Sequence, residues 1–118
     1  MMERAAFERV VEEEYSNLPL VFRETMENIR IVVEDLPPAS RRKRGLLLGE
    51  YHGIPLTQRG AEYGMYPVMP DTITLYQLNL EDLAAQEGDL RQHIRETLIH
   101  EIGHYFGMSE AEIRRAGY

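Results

Sequence analysis

His100 and His104 stand one helical turn apart in the stretch HEIGHYFGMSE, and Glu101 follows the first of them. Residues four apart on an α-helix differ by about 40° around its axis, so both imidazoles point the same way. Each can offer a ring nitrogen to one zinc ion at about 2.0–2.1 Å. Glu101 lies about 100° further round, too far to be a ligand but able to reach a water on the metal. The pattern is HExxH, two ligands plus a general base. Zinc lowers the pKa of its water towards ~7 and polarises a carbonyl, while the carboxylate takes the water's proton and returns it to the leaving amine. Gly103 sits inside the motif, where glycine costs a helix about 1 kcal/mol against alanine. It predicts close approach by something.

A helix must carry these residues. Leu90, Ile94, Leu98, Ile102 and Tyr105 recur at helical spacing, predicting a helix over 90–106. Asp89 can cap it, with Gln92 completing a capping box, and Gly107 supplies the left-handed residue that ends it. Ser109 and Glu112 form a second capping box that starts a final short helix. Near the N-terminus, Phe7, Val10, Val11 and Leu18 mark an amphipathic helix over residues 3–16, and Pro19 opens a second one reaching about Asn28.

Three strands are expected: Ile29–Val33, Leu46–His52 and Thr72–Leu78, with a short helical segment over 80–86. Between the last two strands lies GIPLTQRGAEYGMYPVMPD. Loops longer than about 12–15 residues are uncommon and often functional, so it reads as a cleft rim or as a packed surface loop with some extra strand.

The 118 residues suit one domain spanning 1–118. The chain contains no cysteine, which excludes disulfides, thiolate zinc sites and cysteine nucleophiles. The charged start MMERAAFERVVEEEY is unlike a secretory signal, so a cytoplasmic location is expected. No run of about 18 apolar residues suggests a membrane partner. The formal charge of −7 argues against nucleic acid, because phosphate binding needs positive surface. Arg41-Arg42-Lys43-Arg44 is the local exception, either an anion- or RNA-binding patch or, as expected here, a solvated basic loop between two strands.

Other side chains are candidates for lesser roles. His93 lies seven residues before His100 on nearly the same helix face, about 10 Å away along the axis. It can line a cleft or simply stand part-exposed on the helix. His52 can reach the metal or an oxyanion, or be a surface histidine. Tyr66, Tyr76, Tyr105 and Tyr118 could each supply a phenol to an oxyanion, although packing is the default for each. Met65, Met69 and Met108 read as apolar fill.

The stretch His100-Glu101-Ile102-Gly103-His104-Tyr105-Phe106-Gly107-Met108-Ser109-Glu110 resembles the extended zincin motif HExxHxxGxxH/D, with metzincin spacing. The chain is most similar to the small bacterial zincin-like metallopeptidase family. The likeness extends to the Gly53-Ile54-Pro55-Leu56-Thr57 turn and the Pro70–Tyr76 strand. Two departures stand out: Glu110 occupies the position where His or Asp is usual, and no methionine follows the motif to form a Met-turn.

The resemblance implies an α+β, minimal zincin-like fold, with a small mixed β-sheet packed against helices that include the HExxH helix. It implies one Zn2+ per chain, held by His100, His104 and Glu110, with Glu101 as catalytic base. Glu110 would be the first residue of the last helix, pointing back at the histidines, because Glu112 already serves the helix dipole through its capping box. A zinc-dependent peptidase acting on peptides or unfolded protein is the first expectation, with substrate lying along an edge strand. The alternatives are a zincin-fold binding or regulatory module and a metal-dependent ribonuclease. The bacterial ribosomal-RNA maturation endoribonuclease has similar HxxxHxxxxxH spacing but lacks the glutamate that stands here as Glu101.

Overall fold

The computed structural model describes residues 2–20, 22, 29–44, 46–55 and 71–117, without the side chains of residues 43 and 44. The chain begins with helix α1, Arg4–Ser16, and strand β1, Ile29–Glu34. A 3-10 helix, Ala39–Arg44, leads to β2, Gly49–His52. Strand β3, Asp71–Tyr76, runs straight into α2, Gln77–Glu87, followed by α3, Leu90–Tyr105, and α4, Glu110–Arg115. The second helix expected after Pro19 and most of the long segment after Gly53 lie outside the described residues.

The sheet has the order β1-β3-β2. β1 runs parallel to β3 and β2 antiparallel to it. Alternation along β3 turns Ile73 and Leu75, both fully buried, toward the helices. They join Phe7 and Val11 of α1, Leu80 of α2, and Ile94, Leu98, Ile99 and Ile102 of α3 in one core. Burying a side chain of this size contributes about 1.5–3 kcal/mol, so α3 is fixed along most of its length. It packs on α1, α2, β2 and β3. This is the small mixed α+β fold expected from the sequence.

Two strand boundaries differ from expectation by more than one residue. β3 ends at Tyr76, where its partner β1 also ends at Glu34. Gln77 then turns into α2: it is buried, donates its amide to the Met2 carbonyl (2.9 Å) and accepts from Arg4 Nε (2.8 Å). With residue 77 already helical, Leu46 and Leu47 have no strand to pair with. β2 therefore starts at Gly49, and only the Leu48 carbonyl joins it by accepting from the Tyr76 N–H. Asn79 instead takes the Leu47 carbonyl, at 2.8 Å.

The basic stretch is more ordered than a solvated loop. It forms the 3-10 helix between β1 and β2, Arg42 Nε donates to the Pro37 carbonyl, and Arg41 Nε donates to Glu50 at 2.8 Å. Tyr76, buried beneath, donates to the same carboxylate oxygen at 2.5 Å.

Candidate active site

α3 carries the HExxH residues and its two ends set where they lie. Asp89 caps the start, accepting from the Arg91 N–H. Gln92 does not complete a box there; its amide turns to Glu96, at 3.0 Å. At the other end Gly107 adopts φ 83°. Its N–H bonds to the His104 carbonyl and the Met108 N–H to the Gly103 carbonyl, both at 2.9 Å. These paired bonds are the Schellman closure, which satisfies the last carbonyls and reverses the chain.

α4 then starts as expected. Ser109 accepts from the Glu112 N–H and Glu112 reaches back to the Ser109 N–H, each at 3.2 Å. Those bonds hold the Glu112 carboxyl below its usual range.

Gly103 explains how α4 comes so near. A Cβ there would lie 2.7 Å from Ile113 Cδ1 and 2.8 Å from its Cγ1, and Ile113 is buried against α3. The close approach expected of something at this glycine is that of α4 itself.

The consequence is a convergence of three side chains. Glu110 Oε1 lies 2.9 Å from His104 Nε2, and its Oε2 lies 3.3 Å from His100 Nδ1. Partial burial works against ionisation of Glu110, but the His104 hydrogen bond and the proximity of both histidines outweigh it and hold the carboxyl below its usual range. His104 Nδ1 lies 3.2 Å from the Met108 carbonyl, which can only accept, so that nitrogen carries a proton. Its Nε2 then faces Glu110 with a lone pair in the neutral ring. Both contacts are satisfied together only if a cation, either a second proton or a metal, sits on the Nε2 side. A ring anchored through Nδ1–H to a carbonyl is also how metal-ligating histidines are commonly oriented. The donor set, two imidazoles and a carboxylate, suits zinc. As they stand, the three close on one another pairwise, and among the described residues no three such side chains surround a common point as a metal group.

Glu101 reaches β2 while staying within electrostatic range of all three side chains. Ladder alternation explains its partner: Leu48 bonds to Tyr76, so Glu50 and His52 also face β3, leaving the backbone groups of Gly49 and Tyr51 on the open edge. The Tyr51 N–H donates to Glu101. Burial pushes the Glu101 carboxyl up to about 7, against the opposing influence of His104, the Tyr51 N–H and His100. A half-buried acid near this value suits a general base at neutral pH. Tyr51 is itself fixed: its hydroxyl donates to buried Asp71 at 2.7 Å, and its ring meets Tyr105 edge-on at 6.1 Å.

A groove of about 350 Å³ extends from this site between α2, α3 and the segment leading into β2, and His100 and Glu101 form part of its wall.

His93 lines the same groove. His52 does not join the site; it shares Glu50's face of β2, with Nε2 4.0 Å from that carboxylate, and is half exposed. Tyr76 is bonded to Glu50 on that same face, and Tyr105 is packed in the core between Tyr51 and Phe106. Tyr66, Tyr118, Met65 and Met69 lie outside the described residues. Half-buried Met108 contributes its carbonyl rather than its side chain to the site. Sequence reasoning missed Tyr51, whose role is carried by a backbone amide and by strand register, neither of which has a residue-type signal.

The sequence model of a family described as zincin-like metallopeptidase matches residues 26–118. A search of the curated proteins finds no match. Among solved structures, the chain is similar to a conserved hypothetical protein from Thermo thermophilus, with a TM-score of 0.59 and 24% identity. The alignment covers 89% of this chain and 94% of that one, and it shows a shared fold.

Proposed function

This chain belongs to the zincin-like metallopeptidase family, and we propose that it is a zinc-dependent peptidase in which His100, His104 and Glu110 hold the metal and Glu101 is the general base. The observation that carries this reading is the placement of the Glu110 carboxylate across both imidazoles, at 2.9 and 3.3 Å, with the half-buried Glu101 next to His100 in the chain. Zinc, when bound, supplies Lewis-acid polarisation of the scissile carbonyl and acidifies the attacking water.

The chain's own residues do the rest. Glu101, oriented by the Tyr51 N–H, accepts the water's proton on its carboxylate and delivers it to the departing amine nitrogen. β2 is the edge strand on the site's side of the sheet, and the outward backbone groups of Gly49 can pair with an extended polypeptide. Substrate would thus be a peptide or unfolded protein segment, held with its carbonyl between β2 and the histidines.

The test is Glu101→Gln, which keeps size and hydrogen bonding but cannot accept the proton. Zinc-loaded wild type should cleave casein or a quenched peptide. The variant should retain zinc and the fold while losing about 10²–10⁴-fold in rate. A variant that cleaves as fast as wild type would remove Glu101 from the chemistry.

A further inference from the structure

The groove beside the histidines has a divided lining. Half-buried Leu47, Leu48 and Leu83 supply apolar wall, while Glu87 and Glu96 stand exposed on its two helical sides. No lysine or arginine among the described residues lines it. Glu87 is the last residue of α2, where the helix dipole disfavours an acid. Local rules of this kind are most often broken where function requires it. Glu96 is steadied by the Gln92 amide at 3.0 Å. The inner end is continuous with the candidate active site through His100 and Glu101, and the open edge of β2 contributes Gly49 to the wall. Gly49 packs so tightly that a Cβ there would lie 2.9 Å from Thr97 Cγ2. The backbone of β2 therefore lies directly against α3, with the groove opening beside them.

A groove with a leucine wall and carboxylates on its exposed sides, lined also by His93 and Thr97, matches one kind of occupant, a long aliphatic stem that ends in a cation. Lysine and arginine side chains bury their methylenes and keep the charged head at the surface. We propose that this groove is a specificity subsite for a basic side chain of an extended polypeptide, with Glu87 and Glu96 receiving its charge. The proposal rests on the peptidase reading for the identity of the ligand, but it requires binding rather than catalysis. The two carboxylates are specificity residues and take no part in proton transfer.

The test measures binding to the Glu101→Gln protein, which cannot turn the probe over. Two fluorescein-labelled peptides are compared by anisotropy, Gly-Ala-Leu-Lys-Ala-Leu-Gly-amide and the same peptide with norleucine in place of lysine. The lysine peptide should bind about tenfold tighter at low salt, with the preference shrinking as salt screens it. In the Glu87→Gln/Glu96→Gln double variant the two peptides should bind alike, and circular dichroism should be unchanged because both positions are exposed. Equal binding of the two peptides to the parent, or a preference that survives the double variant, overturns the proposal. Cleavage by wild type separates the two readings. Lysine-selective binding without hydrolysis leaves the subsite standing and removes the peptidase, whereas hydrolysis with no basic preference does the reverse.

Discussion

At the scale of single residues, the two acids of α4 divide their work. Glu112 is committed to Ser109 and the helix start, and Glu110 is left to face the histidines. Their substitutions should separate accordingly. Glu110→Ala should weaken zinc binding by orders of magnitude in a competition titration with a fluorescent chelator. Glu112→Ala should leave zinc binding alone and slightly lower the melting temperature. The sign of its pH dependence follows from the folded-state carboxyl lying below its usual 4.5. That contribution is present above about pH 4.5 and is lost as pH falls through the folded value, so the melting difference between wild type and Glu112→Ala should vanish in acid. The common facing of His100 and His104, with Glu101 beside them, was legible because spacing four on a helix fixes direction. Met108 and Tyr51 were not, because they act through a carbonyl and an amide that every residue possesses.

At the scale of elements, the placement of α4 depends on Gly103. Its lack of a side chain admits Ile113, and that contact seats α4 with Glu110 above the imidazoles. Gly103→Ala should favour the isolated helix by about 1 kcal/mol yet push α4 outward, lowering zinc affinity by roughly tenfold, as disturbed supports of metal ligands do. Adding Ile113→Val, which removes Cδ1, one of the two carbons the new methyl would meet, should recover part of the loss. Recovery would distinguish displacement of α4 from a direct effect on His104.

A second element-scale prediction concerns Tyr76, which joins the sheet to the 3-10 helix through Glu50 and Arg41. Burial and the Glu50 contact push its phenol up to about 12, while an unfolded tyrosine ionises near 10. A raised value favours the folded state while the phenol is protonated. Stability is therefore complete below about pH 10 and declines as pH rises toward 12. Alkaline urea titrations should show this decline in wild type and a flatter profile in Tyr76→Phe. Helices were the more legible elements, since caps at Asp89, Gly107 and Ser109 are local chemistry. Strand ends were not: β3 stops at Tyr76 because β1 ends and because Gln77 is held by Met2 and Arg4, partners more than seventy residues away in sequence.

At the scale of the whole molecule, one helix is braced by α1, α2 and the sheet so that its C-terminal turn and α4 can hold three polar side chains together. The α+β architecture was implied by the family resemblance, the order of periodic segments located most of its elements, and HExxH followed from residue type. The groove beside it did not, because it arises where α2, α3 and the lead into β2 meet. Among the described residues no helix is long and apolar enough to cross a membrane.

The proposed chemistry requires His100 and His104 to bind one metal ion together. The most direct measurement is metal analysis after zinc reconstitution and exhaustive dialysis, made on wild type, His100→Ala and His104→Ala. Near-unit zinc in wild type and a large loss in each variant is the predicted result. Equal zinc in all three, with the variants folded by circular dichroism, would contradict it.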